Sequence, residues 1–199
     1  WNHPKLGLLA PEKFMEIAER RGIADEINAY VLEQAAKLLG AWQADPELRG
    51  LRLAVNIGSD QLYDPELPRS LRELFKRHSA PASLLTLEFT EESIAKNRDE
   101  AMKAMARLKT TGVRLSLDDF GTGFSSLAQL KDMPLSEIKI DGRFIRQMHD
   151  RPKDAALVKT MLSMAETLGL DAVAEHVETA AQEKFLLKHG CTLYQGFLY

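Results

Sequence analysis

Val113-Arg114-Leu115-Ser116-Leu117-Asp118-Asp119-Phe120-Gly121-Thr122-Gly123 is a β-prone run that ends in two adjacent aspartates and enters a glycine-rich turn. Its strand portion, Val113–Asp118, has five counterparts: Leu51–Asn56, Leu84–Phe89, Glu137–Ile140, Asp171–Glu175 and Cys191–Gln195. Each is short, apolar or β-branched, and bounded by turn residues or charges, which predicts a buried strand. The segments between them carry helical punctuation. Pro11 opens a helix that Gly22 stops, and a longer one follows Asp25 with Ile27, Tyr30, Val31, Ala35, Leu38 and Trp42 expected on its apolar side. Others run through Leu67–Phe75, from the Asn97 cap to Gly112, through Leu157–Leu168, and from a Thr179/Gln182 capping box to Gly190. Strand–helix alternation of this kind implies a parallel sheet with helices outside it.

An open doubly wound sheet and a (β/α) barrel both satisfy that pattern. The polar residues separate them. Asn56, Glu88, Asp118, Lys139, Glu175 and Gln195 fall at or near the C-terminal ends of the six runs. An open sheet gathers ligand groups at one or two strand ends near its switch point. A barrel collects them from many strand ends onto one face, so the barrel is expected.

Composition narrows the function. The 199 residues are 45% apolar and 28% charged with a net charge of −3, which gives no footing for non-specific binding to duplex nucleic acid or an anionic membrane. The only cysteine, Cys191, excludes an internal disulfide and suits a reducing, cytoplasmic setting. No apolar run approaches the ~18 residues of a spanning helix. The chain opens at Trp1 without a methionine and reads as a piece cut from a longer protein. No Walker loop, GxSxG elbow or HExxH spacing is present, which argues against P-loop NTPases, serine hydrolases and imidazole-rich zinc sites.

The acidic residues carry the chemistry. Successive strand residues face opposite ways, so Asp118 and Asp119 reach one site only if the chain turns there, which Gly121 and Gly123 permit. Paired carboxylates of this kind suit a hard divalent cation such as Mg²⁺ or Mn²⁺; a solvated turn with a capping Asp is the plainer alternative. Glu88, within Leu87-Glu88-Phe89-Thr90-Glu91, is either a ligand or a solvent-facing strand residue, and Glu91 a loop brace. Glu175 and Glu178 follow the apolar Ala172-Val173-Ala174 and could supply a ligand and a general base, or Glu178 could simply complement a helix N-terminus. Lys139, between two isoleucines, would stabilise a phosphate at a barrel mouth or pair with a carboxylate. The methionines of the helices read as core filler.

Seven ordered motifs then resemble the EAL phosphodiesterase domain: Trp1-Asn2-His3-Pro4-Lys5-Leu6-Gly7, Val55-Asn56, Leu87-Glu88-Phe89-Thr90-Glu91, Asp118-Asp119-Phe120-Gly121-Thr122-Gly123, Ile138-Lys139-Ile140-Asp141, Ala174-Glu175-His176-Val177-Glu178-Thr179 and Gln195-Gly196-Phe197. The resemblance covers the whole chain. It implies a modified (β/α)₈ TIM-type barrel, here without its first strand, forming a single domain over residues 1–199 that is truncated at the N-terminus and close to its C-terminal end. It further implies two-metal hydrolysis of cyclic-di-GMP to linear 5′-pGpG, with Asn56, Glu88, Asp118 and Asp119 as metal ligands and Lys139 near the attacking water. Glu175 takes the position of general base or further ligand, and Glu178 and Gln195 support the water and metal shell. Glu91 would anchor the loop Asp119–Phe124, which the family uses for metal binding and dimer coupling. Two Mg²⁺ or Mn²⁺ ions, a homodimer, and tethering to sensor or diguanylate-cyclase domains follow from the same likeness, in a cytoplasmic protein or the cytoplasmic part of a membrane-anchored parent. The setting would be bacterial second-messenger signalling and biofilm regulation, with no polymeric nucleic acid and no membrane contact by this domain.

Three departures accompany the likeness. The E-x-L-x-R motif, expected just before Trp1, is absent; His176 stands where glycine is usual; and Asp60 stands where arginine is common. A catalytically silent cyclic-di-GMP receptor is therefore the alternative to an enzyme, and an interaction module that binds no nucleotide is a third reading. The retained polar strand ends favour the enzyme.

Overall fold

The computed structural model of the protein describes residues 1–95, 97–123 and 130–199. All six expected strands are present: β3 (Leu53–Asn56), β4 (Leu85–Thr90), β5 (Arg114–Phe120), β6 (Glu137–Ile140), β7 (Asp171–Ala174) and β8 (Leu193–Tyr194). They lie side by side in sequence order, every neighbouring pair parallel. A small antiparallel hairpin not foreseen from the sequence, β1 (Asn2–His3) with β2 (Gly7–Leu8), precedes them. Its strands are too short for any periodicity to show.

Helices pack on the outer face: α1 (Met15–Arg21), α2 (Ala24–Trp42), α3 (Ser59–Tyr63), α4 (Leu67–His78), α5 (Glu91–Ala95), α6 (Arg98–Lys109), α7 (Gly142–Gln147), α8 (Pro152–Leu168) and α9 (Ala180–Lys188). Their starts follow local chemistry. Asn97 accepts the Glu100 N–H to cap α6, Asp141 accepts the Arg143 N–H to cap α7, and Thr179 with Gln182 forms the reciprocal cap of α9. Pro11 opens a short 3₁₀ turn (Pro11–Lys13), not the α-helix expected there; α1 begins only at Met15.

The register sorts the strand residues into two faces. Asn56 pairs with Glu88, Glu88 with Ser116, Ser116 with Glu137, and Glu137 with Asp171, so these polar residues share the inner face. Leu87, Phe89, Leu115, Leu117, Ile138 and Ile140 fall on the outer face and form the core beneath the helices, each nearly or wholly buried. The sheet is curled into a half-barrel, because residues four strands apart meet across its hollow. Arg52, just before β3, reaches Asp171 at the start of β7 at 3.0 Å, and Arg114 of β5 reaches the same carboxylate oxygen at 2.6 Å. This ion-pair group closes the N-terminal end of the hollow and leaves the C-terminal end open to a site.

The stripe expected on α2 is corrected. Leu32, Ala35, Ala36 and Leu39 face the core, while Tyr30, Val31 and Leu38 are exposed. Both sets have helical spacing, and the approach of α4 decides between them. A Cβ on Gly40 of α2 would fall on the carbonyl of His78 at the end of α4, and Glu33, two turns earlier on α2, takes the Arg77 Nη1 at 2.9 Å. Helix propensity alone would make Gly40→Ala stabilising by about 1 kcal/mol. The backbone contact reverses the sign: the variant is expected to lose about 1–3 kcal/mol. A thermal melt would then show a drop of about 2–4 °C per kcal/mol.

Candidate active site

The open end of the hollow holds the predicted residues, and a β-bulge builds its centre. Between β5 and β6, Leu117 pairs with Ile138 and Phe120 with Ile140. Two residues, Asp118 and Asp119, thus stand opposite one, Lys139. The extra residue is accommodated by Asp119, which adopts a left-handed conformation with φ +54°. The two carboxylates converge through this bulge within the strand, not through the glycine turn that follows. Asn, Asp and Gly are the residues that take this conformation at least cost.

Lys139 sits at the focus. Its ammonium lies 3.0 Å from Glu88 Oε2, 3.1 Å from Asp118 Oδ1 and 2.8 Å from Glu175 Oε1. Burial would lower its pKa, but the Glu175 hydrogen bond and the charges of Asp118 and Glu88 outweigh it, so Lys139 is held protonated well above the ordinary lysine range. Burial pushes the Glu88 carboxyl up despite the attraction of Lys139. Asp119 is also raised, by burial first and then by Asp118, Asp141 and Glu175. Carboxylates that raise one another in this way mark a site with surplus negative charge.

Asp118, Asp119 and Glu175 each present a carboxylate oxygen, all within 4.8 Å of one another. This all-oxygen, negatively charged donor set fits a divalent cation of hard character. Asn56 ends β3 directly across from Glu88, and Gln195 follows β8, where it lines one cavity with Glu88 and Lys139 and another with Glu175. Glu178 lies outside the carboxylate group; it is exposed, and its N–H donates to Gln182 Oε1 at the start of α9. Glu91, buried at the start of α5, accepts the Gly121 N–H at 2.9 Å. A Cβ on Gly123 would overlap the Glu91 carboxyl, so the turn wraps closely around that side chain. Phe124, the end of the loop expected to be anchored there, lies outside the described residues.

Asp141 was missed. It is buried, its carboxylate helps to raise the pKa of Asp119, and it caps α7. Its sequence signal, an aspartate just past a strand and before Gly142, reads as a helix cap, which it also is. His176 adopts φ +55°, a conformation that costs a non-glycine residue about 1–2 kcal/mol.

The EAL domain family model matches residues 1–199. The chain belongs to the EAL domain family. The EAL domain is 40% identical over 198 residues to the bifunctional diguanylate cyclase/cyclic di-GMP phosphodiesterase MucR of Pseudomonas aeruginosa, covering 100% of this chain and 29% of that protein. It is 38% identical to the cyclic di-GMP phosphodiesterase NbdA of the same organism, over 100% of this chain and 25% of the relative. The EAL domain therefore spans about a quarter of the length of these relatives. Among solved structures, the phosphodiesterase of MucR in complex with c-di-GMP matches with a TM-score of 0.93 and 39% identity, over 100% of this chain and 80% of that one. The curled parallel sheet is thus the modified TIM barrel of EAL structures. None of its described helices is long and apolar enough to cross a membrane.

Proposed function

We propose that the protein hydrolyses cyclic-di-GMP to linear 5′-pGpG. The observation that carries this reading is the meeting of Glu88, Asp118, Asp119 and Glu175 around Lys139 at the open end of the half-barrel. A phosphodiester is anionic and resists water, so a site made only of carboxylates would repel it. Two divalent ions, Mg²⁺ or Mn²⁺, held by Asp118, Asp119, Glu175, Glu88 and Asn56, would neutralise that charge and acidify the attacking water. Glu175 accepts the proton as the water oxygen adds to phosphorus, and the ribose 3′-oxygen takes up a proton from solvent as its bond to phosphorus breaks. Lys139 fixes the orientation of Glu175, Glu88 and Asp118 and offsets the charge that develops on phosphorus. Gln195 and Glu178 support the water and metal shell, and Glu91 holds the loop after the bulge in place.

The coverage of the relatives supports reading residues 1–199 as one EAL domain of a larger protein, which we place in the cytoplasm. Sensor or diguanylate-cyclase domains adjoin it, and it works as a homodimer. The test is incubation of the full-length protein with cyclic-di-GMP in Mg²⁺ or Mn²⁺. Accumulation of 5′-pGpG that stops on chelation supports the enzyme. Saturable binding without product would make the protein a receptor.

A further inference from the structure

Three non-glycine residues among those described have a positive φ: Ser79, Asp119 and His176. Ser79 ends α4 and Asp119 forms the bulge, so both are explained by the backbone they serve. His176 is not. A glycine would take the same backbone at no steric cost. The segment is pinned on both sides, with Glu175 N–H donating to the Ile140 carbonyl at 3.2 Å and Val177 N–H to the Gln195 carbonyl at 3.0 Å. The imidazole itself is fixed against α7: a Cβ on Gly142 would fall on its Nδ1, Cγ and Cβ atoms. Yet His176 remains exposed, so little burial offsets the strain.

The ring therefore stands rigid and solvent-facing, one residue from Glu175. It lines a cavity of about 360 Å³ with Glu175, Gln195, Phe197 and Tyr199. That volume lies within the range of small-molecule sites. Three aromatic rings and an amide suit a flat heteroaromatic group with polar edges. Strain that persists beside reacting groups points to a functional contact.

We propose that His176 is a ligand-contacting, affinity-determining residue whose imidazole packs against one purine base of the cyclic dinucleotide; this rests on the phosphodiester reading above. His176 takes no part in bond breaking. It fixes how the nucleotide lies across Glu175 and Lys139.

The experiment compares the full-length protein with His176→Gly and His176→Phe in cyclic-di-GMP hydrolysis, in calorimetric binding and in thermal melts. Loss of the ring is expected to raise KM and Kd about tenfold, the scale of one base–ring contact. kcat should fall less than twofold, and Tm should hold or rise as the left-handed strain is relieved. His176→Phe should recover most of the affinity, because the stacking surface returns. An unchanged Kd in His176→Gly, or a fall in kcat with KM unmoved, overturns the proposal while the phosphodiester reading stands. If the native protein neither binds nor hydrolyses cyclic-di-GMP, that reading falls and takes the contact with it.

Discussion

Glu175→Gln is expected to lower kcat for cyclic-di-GMP hydrolysis by about 10²–10⁴, the range that a positioned proton acceptor contributes. The substitution keeps the shape of the side chain. Its amide oxygen can still accept the Lys139 hydrogen bond that spans 2.8 Å in the native site. What disappears is the negative charge, and with it both the capacity to take a proton and one corner of the Asp118–Asp119–Glu175 donor group. Single-turnover product formation separates this loss from a loss of binding. If the chemistry is the step affected, the variant still binds cyclic-di-GMP and accumulates almost no 5′-pGpG. A variant that retains native turnover would remove Glu175 from the mechanism and leave the proton to another group.

Lys139→Met tests the other side of the same charge balance. The ammonium is buried and touches three carboxylates, so its removal leaves Glu88, Asp118 and Glu175 close together without their cation. Breaking a buried pair by deleting one partner costs about 3–5 kcal/mol. In chelator, denaturant unfolding of the variant should show a loss of that size. Added Mg²⁺ or Mn²⁺ should return part of it, because a cation that binds only the folded site stabilises by mass action. A variant as stable as the native protein in chelator would mean that the carboxylates already shed their charge by binding protons. The raised pKa of Glu88 and of Asp119 makes that response available, and a shallower loss at lower pH would report it.

Much of this site was legible in the order of residues because strands end where their polar residues begin. Glu88, Asp118 and Glu175 each follow a mainly apolar run and Lys139 lies between two isoleucines, and a parallel sheet brings such positions together without further information. The order of residues does not carry the third dimension in three places. On α2, the stripe through Tyr30, Val31 and Leu38 and the stripe through Leu32, Ala35 and Leu39 obey the same period; only the packing of α4 against Gly40 chooses between them. Asp141 carries two roles under one local signal, and the cap hides the effect on Asp119. The bulge is invisible because strand register is a relation between two strands, and Asp118-Asp119 looks the same whether or not its neighbour keeps step.

That mismatch in step makes the paired aspartates a measure of length as well as of charge. Up to Leu117 the strand keeps count with β6; beyond Asp119 it is one residue ahead, and Phe120 returns to the core side opposite Ile140. Substituting either aspartate alters one carboxylate and leaves that count intact. Deleting either would bring the strand back into step, with Phe120 still opposite Ile140 on the core side and a single carboxylate left facing the hollow. The extra residue is therefore what lets neighbouring carboxylates serve one face, and a shortened strand would keep its packing while giving up half of the pair.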